Sequence, residues 1–174
     1  MSEIDLQERL NAMEARLTRL EDMEAIRRLK CEHALASDDH EHLAERFVAI
    51  VTDDFEADYG EGFGTVRGKD ELREFLRASP FSWTMHYMIP KRIDVAADGR
   101  TATGVWYLWE PAAAQNASAT QERAVWLAGV YEDSYCKQAD GGWKIGSIKF
   151  TATLLVPYVR GWEGERIVAI DFAD

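Results

Sequence analysis

Leu6, Leu10, Met13, Leu17 and Leu20 recur at alternating spacings of four and three, and Met23, Ile26 and Leu29 continue the apolar stripe in threes. Glu8, Arg9, Glu14, Arg16, Arg19 and Glu21 supply a charged outer face. The pattern predicts one amphipathic helix from Ser2 to about Ala36. Such a helix is too long to pack wholly on a small domain. Residues 1–22 are therefore expected to project as an N-terminal arm, and residues 23–174 to form one domain onto which the helix docks from about Met23. The seam of the arm also suits packing against a partner helix.

Further on, "SDDHEHLAERF" reads as a turn and a second helix, with Ser37, Asp38 or Asp39 available as its cap. "DDFEADYGEGFGTVRG" reads as two short strands around a glycine-rich turn. "GKDELREFLRASP" is a third helix, opened after Gly68 and stopped by Pro80. The chain then turns to β: "MHYMIPKRIDV", the turn "AADGR", the long strand "TATGVWYLWEP", a loop "AAAQNASATQ", "RAVWLAGVYEDSYCK", the turn "ADGG", and "WKIGSIKFTATLLVPYV". Asp-Gly turns between alternating apolar runs are hairpin signals. Helices followed by long antiparallel strands define an α+β class, a curved sheet wrapped on about three helices. That arrangement leaves a conical cavity able to take a ligand.

Charge and composition narrow the function. A formal net charge of −11 over 174 residues argues against nucleic acid and anionic membrane as partners. No apolar run approaches the roughly 20 residues needed to span a bilayer. The charged N-terminal stretch, "MSEIDLQERLNAMEARL", is expected to be neither a signal nor a transit peptide. Cys31 and Cys136 lack metal-ligand spacing and are expected to be free thiols in a reducing, cytoplasmic compartment. "HALASDDHEH" gathers three histidines and two aspartates, but the spacing of His40 and His42 points their rings apart and no HExxH occurs. No metal is expected. "GEGFG" lacks a Rossmann or P-loop context, so no nucleotide cofactor is expected either.

The candidate chemistry starts at "FSWTMHYMIPKRIDV", where His86 stands among large apolar side chains. A histidine there is either a general acid/base, with an ordinary pKa suited to neutral-pH proton transfer, or a hydrogen-bonded core residue. On the long strand Trp106, Leu108 and Glu110 share one face, which is either core or cavity wall.

The pieces "MEAIRRLKCEHALASDD", "FEADYGEG", "VRGKDELREFL", "TMHYMIPKRIDVAADGRTATGVWYL", "GGWKI" and "VPYVRGW" together resemble, in order and spacing, the SnoaL-like branch of the nuclear transport factor 2-like superfamily, over about Met23 to Trp162. The resemblance implies a cystatin-like α+β barrel and a small dehydratase, isomerase or cyclase. Similarity to bile-acid and scytalone dehydratases implies that His86 and Asp38 lie side by side in the cone, with Tyr59 binding a substrate oxygen. The structural alternatives are a helix cap for Asp38 and a packing role for Tyr59. His33 stands where the bile-acid enzymes carry tyrosine, and points either into the cone or into an interface. Glu110 stands where they carry aspartate. The arginine often found on the last strand is missing, with Ala152 and Lys149 nearest.

Two functions follow. One is a cofactor-independent lyase or isomerase acting on a hydrophobic cyclic compound, with His86, Asp38 and Tyr59 catalytic and His33, Trp106, Leu108 and Glu110 against substrate. The other is a non-catalytic ligand-binding or assembly module, such as the small subunit of a ring-hydroxylating oxygenase. Both fit a homo-oligomer, a dimer or a trimer. The expected pocket is closed and apolar, lined by Trp106, Leu108 and Tyr59, and reached past "DYGEGFG".

Overall fold

The chain is described by a computed structural model over residues 3–60, 62–114 and 122–168. Most of the small-residue loop expected at 112–121 and the glutamate of the "DYGEGFG" turn fall outside those residues. In chain order the elements are α1 (Glu3–Asp38), α2 (Leu43–Ala49), β1 (Val51–Asp58), β2 (Thr65–Arg67), α3 (Gly68–Arg77), β3 (Phe81–Thr84), β4 (Tyr87–Val95), β5 (Thr101–Ala114), β6 (Arg123–Lys137) and β7 (Trp143–Pro157). The fold is α+β, a curled half-barrel sheet closed by three helices.

One seven-stranded sheet runs β2-β1-β7-β6-β5-β3, with β4 also on β5. Among the strands of the described residues only the β1–β7 pair is parallel, and the other strand pairs are antiparallel. Burial along β5 alternates strictly, so that Ala102, Trp106, Leu108, Glu110, Ala112 and Ala114 face inward. On β6 the inward row is Val125, Leu127, Tyr131, Asp133 and Tyr135. Register slips in β7, between Ala128 and Gly129 and between Ser134 and Tyr135 on its partner, bend the sheet over the helices. The Asp-Gly turns form as the sequence predicts, with Gly99 and Gly141 in the left-handed region at φ 64° and 87°.

Helix α1 is exposed on all sides from Ile4 to Glu21 and packs on the sheet from Asp22 onward. The transition is pinned by buried Asp22, whose carboxylate accepts hydrogen bonds from Lys137 Nζ at 2.6 Å and Trp143 Nε1 at 2.9 Å. Beyond it Ile26, Lys30, His33 and Ser37 step 4-3-4 along the buried face. The helix runs past Ala36 to include Asp38, so Asp38 does not cap α2. Asp39 serves that turn instead, accepting the backbone N–H of His42 at 3.2 Å.

The strand expected to begin near Met85 is β4, and a further short strand, β3, precedes it. β3 pairs with Ala112–Ala114 and β4 with Ala102–Trp109, both along the same edge of β5. Met85 bridges them by donating its N–H to Pro111 O at 3.1 Å. His86 falls in the break, leaving its backbone N–H free of the ladder.

Candidate active site

His86 is held by the end of α1. Its backbone N–H reaches both Asp38 carboxylate oxygens at 3.1 Å, and its ring Nδ1 lies 2.6 Å from Asp38 Oδ1. Thr84 Oγ1 donates to the same oxygen at 3.0 Å or to Ser37 O at 3.1 Å. His40 Nε2 in turn lies 3.2 Å from Thr84 Oγ1. A hydroxyl has one proton, so Thr84 serves one acceptor at a time. Burial tends to raise the Asp38 pKa, but the hydrogen bonds from the His86 ring, the His86 backbone and Thr84 together hold it below the ordinary value. An ionised Asp38 fixes Nδ1 as the protonated nitrogen of a neutral His86 ring and leaves Nε2 for chemistry.

At Nε2 stands Glu110, its Oε2 3.3 Å away. Glu110 comes from the inner face of β5 and is 2 % exposed. Its pKa is pushed up to about 7, first by burial and further by the Asp38 charge, against the pull of His86. Near neutral pH Glu110 therefore exists in both protonation states. The two carboxylates bind opposite nitrogens of one ring and cannot converge on a single ion. Among the described residues no group of three or more potential ligands is placed to hold a metal.

These side chains meet at a cavity of about 380 Å³ that opens to solvent. Its size lies in the range of roughly 300–1,000 Å³ usual for small-molecule sites. His33, His86, Glu110 and Tyr131 form its polar side. Phe47, Phe75, Phe81, Leu127 and Phe150 form an apolar wall, and Gly62, Phe63, Ser79 and Pro80 are among the other lining residues. Among the described residues no lysine or arginine lines it. Tyr59, also in the lining, stacks on Phe75 with ring centroids 4.9 Å apart. Its backbone N–H closes the 60–64 turn onto Gly64 O at 2.9 Å.

His33 is on the cavity wall, 2 % exposed, edge-on to Phe47 at 4.5 Å and to Tyr131 at 5.6 Å. Burial, then Lys30 and His86, lower its pKa well below the ordinary value, so it is neutral. Its Nδ1 is buried without a hydrogen-bond partner among the described residues.

Two expectations need correction. Trp106 and Leu108 face inward but do not line the cavity, and the cavity is open rather than closed. Against the Tyr131 ring of the cavity wall lies a buried polar chain without local periodicity in the sequence. Trp106 Nε1 donates to Tyr135 Oη at 2.8 Å, Tyr135 donates to Asp133 at 2.7 Å, and Lys30 Nζ pairs with the same Asp133 oxygen at 2.8 Å. Lys30 stands 4.1 Å from the Tyr131 ring centroid. These bonds tie Trp106 into the core rather than the cavity lining. The signal of this polar chain in the sequence was Lys30 on the Ile26–His33 face and Asp133 on the inward row of β6.

Residues 18–149 match the family model of the SnoaL-like domain. Among solved structures, a candidate scytalone dehydratase from Novosphingobium aromaticivorans is 25% identical with a TM-score of 0.68, over 81% of this chain and 90% of that one. Hexachlorocyclohexane dehydrochlorinase LinA-type3 from Novosphingobium barchaimii is 20% identical with a TM-score of 0.68, over 88% and 99%. A cystatin-like-fold protein, also from Novosphingobium aromaticivorans, is 20% identical with a TM-score of 0.61, over 81% and 88%. No curated protein sequence matches the chain.

Proposed function

The chain belongs to the SnoaL-like family, and we propose that it is a cofactor-independent lyase or isomerase acting on a hydrophobic cyclic compound by acid/base proton transfer. The observation that carries this reading is His86 held between Asp38 at Nδ1 and Glu110 at Nε2 on the wall of a ligand-sized void. Dehydratase and dehydrochlorinase, the names of two of the structures it resembles, both denote eliminations, in which one carbon loses a proton and its neighbour a leaving group.

In this mechanism His86 Nε2 takes a proton from a carbon held against the apolar wall. Asp38 keeps the ring in the productive tautomer and stabilises the imidazolium. Glu110, poised near neutrality, receives or returns a proton beside Nε2, so that one group serves as base and its neighbour as acid. Tyr59 holds an oxygen of the substrate. Dehydration and double-bond migration share the first step and differ in whether a hydroxyl leaves. The test is a panel of cyclic β-hydroxyketones and β,γ-enones, both of which give conjugated enones absorbing in the near ultraviolet. Turnover that disappears in His86→Ala supports the reading. A protein that binds these compounds, converts none and co-purifies with a large iron-containing subunit would establish the assembly role instead.

Self-association belongs to the same proposal. Leu10 and Leu17, on the arm, are 44 % and 57 % exposed, and Tyr87, Ile89 and Tyr107 stand exposed on the outer face of the sheet. A homo-oligomer would cover both surfaces.

A further inference from the structure

The first half of α1 carries an apolar row that its own domain does not cover. Every residue from Ile4 to Glu21 is exposed, and the next, Asp22, is buried. Within that stretch Leu6, Leu10, Met13, Leu17 and Leu20 are each between 44 % and 66 % exposed. A continuous row of large apolar side chains in water marks a surface that another surface covers.

The spacing assigns heptad positions in one way, with Leu10 and Leu17 at a and Leu6, Met13 and Leu20 at d. Arg9 and Arg16 then fall at g, and Glu14 and Glu21 at e. The repeat stops where the helix docks. Its next a position is Glu24, which is ion-paired with Arg27 and Arg28 on the same helix.

Two features identify what covers the seam. The first is direction. By helical periodicity the seam lies about 160° around α1 from the docked face of Asp22, Ile26, Lys30, His33 and Ser37. The domain therefore stands on the far side of the helix and leaves the seam open to a second helix. The second feature is charge. In a parallel pair of helices each g residue meets the e residue of the following heptad on the other strand. Arg9 of one copy then meets Glu14 of the other, and Arg16 meets Glu21, in both directions. An antiparallel pair sets g against g and e against e, which places arginine beside arginine and glutamate beside glutamate. The arm is thus its own complement in one orientation alone, whereas a foreign helix would have to reproduce the same order of charges.

We propose that the α1 arm, residues 4–21, pairs with the arm of a second copy of this chain as a parallel, in-register coil. This sharpens the self-association proposed above to one surface, one partner and one direction, and it is independent of the acid/base chemistry. The arm needs no nucleation of its own, because it extends a helix that docking already holds. Parallel pairing brings both domains to the same end of the coil, each on the side away from the partner helix.

The experiment places a single cysteine in the arm of the full-length chain, with the exposed Cys31 replaced by serine, followed by mild oxidation. Leu10→Cys should cross-link two copies, since equivalent a positions face each other across a parallel, in-register pair. Ala15→Cys, at f on the outer side of the coil, should not. A Leu6→Cys chain mixed with a Leu20→Cys chain should give no mixed disulfide by mass spectrometry, because parallel pairing holds those positions about 21 Å apart along the axis. A mixed disulfide would establish antiparallel pairing and overturn the proposal, as would Leu10→Cys cross-linking no better than Ala15→Cys. Charge reversal gives an independent readout in sedimentation at low salt. Arg9→Glu with Arg16→Glu should raise the dissociation constant at least about tenfold, and mixing that variant with Glu14→Arg, Glu21→Arg should restore association. Self-association untouched by the reversal would overturn the arm pairing and leave the oligomer to the outer sheet face. A chain that stays monomeric at every concentration would end both.

Discussion

Replacing Glu110 by glutamine should make the protein more stable, and increasingly so as pH rises. A carboxyl with an ordinary pKa of 4.5 that is pushed to about 7 in the fold keeps its proton over a range in which the unfolded chain has lost it. Between those values the folded state binds more protons, so this group's contribution to stability falls as pH rises and is flat above about 7. The full effect corresponds to about 3 kcal/mol. Glutamine keeps the shape and cannot ionise. The stability difference between Glu110→Gln and wild type should therefore grow by about 3 kcal/mol between pH 4 and pH 8. Urea unfolding of both proteins across that range measures it. Parallel profiles, or a variant that loses ground at high pH, would refute the claim that Glu110 is a buried, destabilised carboxylate.

Asp38→Asn should act at the opposite end of the scale. Its pKa is lowered in the fold, so the wild type loses stability as pH falls through the folded pKa, and the variant should lack that acid limb in the same urea series. Lys30→Met should cost about 3–5 kcal/mol in thermal or urea unfolding, because it strands the Asp133 charge, whereas Lys30→Met with Asp133→Leu should recover most of the loss. Replacing Leu10 and Leu17 together by lysine should leave the melting temperature of the domain within a few degrees and weaken self-association in sedimentation. A native protein that sediments as a monomer at micromolar concentration would end that expectation.

The alternation of β5 made the shared face of Trp106, Leu108 and Glu110 legible, since a period of two puts alternate residues on one side of a strand. What alternation does not carry is depth. Trp106 and Leu108 share Glu110's face, but Trp106 is tied into a buried polar chain anchored by the Lys30–Asp133 pair, 103 residues apart in sequence. A contact of that range leaves no local periodicity. β3 was missed for a related reason: Phe81–Thr84 is short, and its partner is the part of β5 beyond Pro111, where proline suggested a strand end. Pro111 is accommodated because it contributes its carbonyl, to Met85. The proximity of His86 and Asp38 came from the family resemblance. Its physical cause, a break between β3 and β4 that frees the His86 N–H for the end of α1, became visible only with the sheet pairing. Tyr131 was obscured by ordinariness, one aromatic residue in an alternating strand.

The central claim is that His86 removes a proton from carbon. Solvent exchange reads that step directly and needs no product to be released. β-Tetralone in deuterated buffer, followed by NMR, should lose its protons next to the carbonyl faster with the wild-type protein than in buffer alone. His86→Ala, folded by circular dichroism and still binding the ketone, should slow the protein-dependent exchange by about 10²–10⁴-fold. Exchange no faster than buffer with the wild type, or equal rates in the two proteins, would contradict the assignment of His86 as the base.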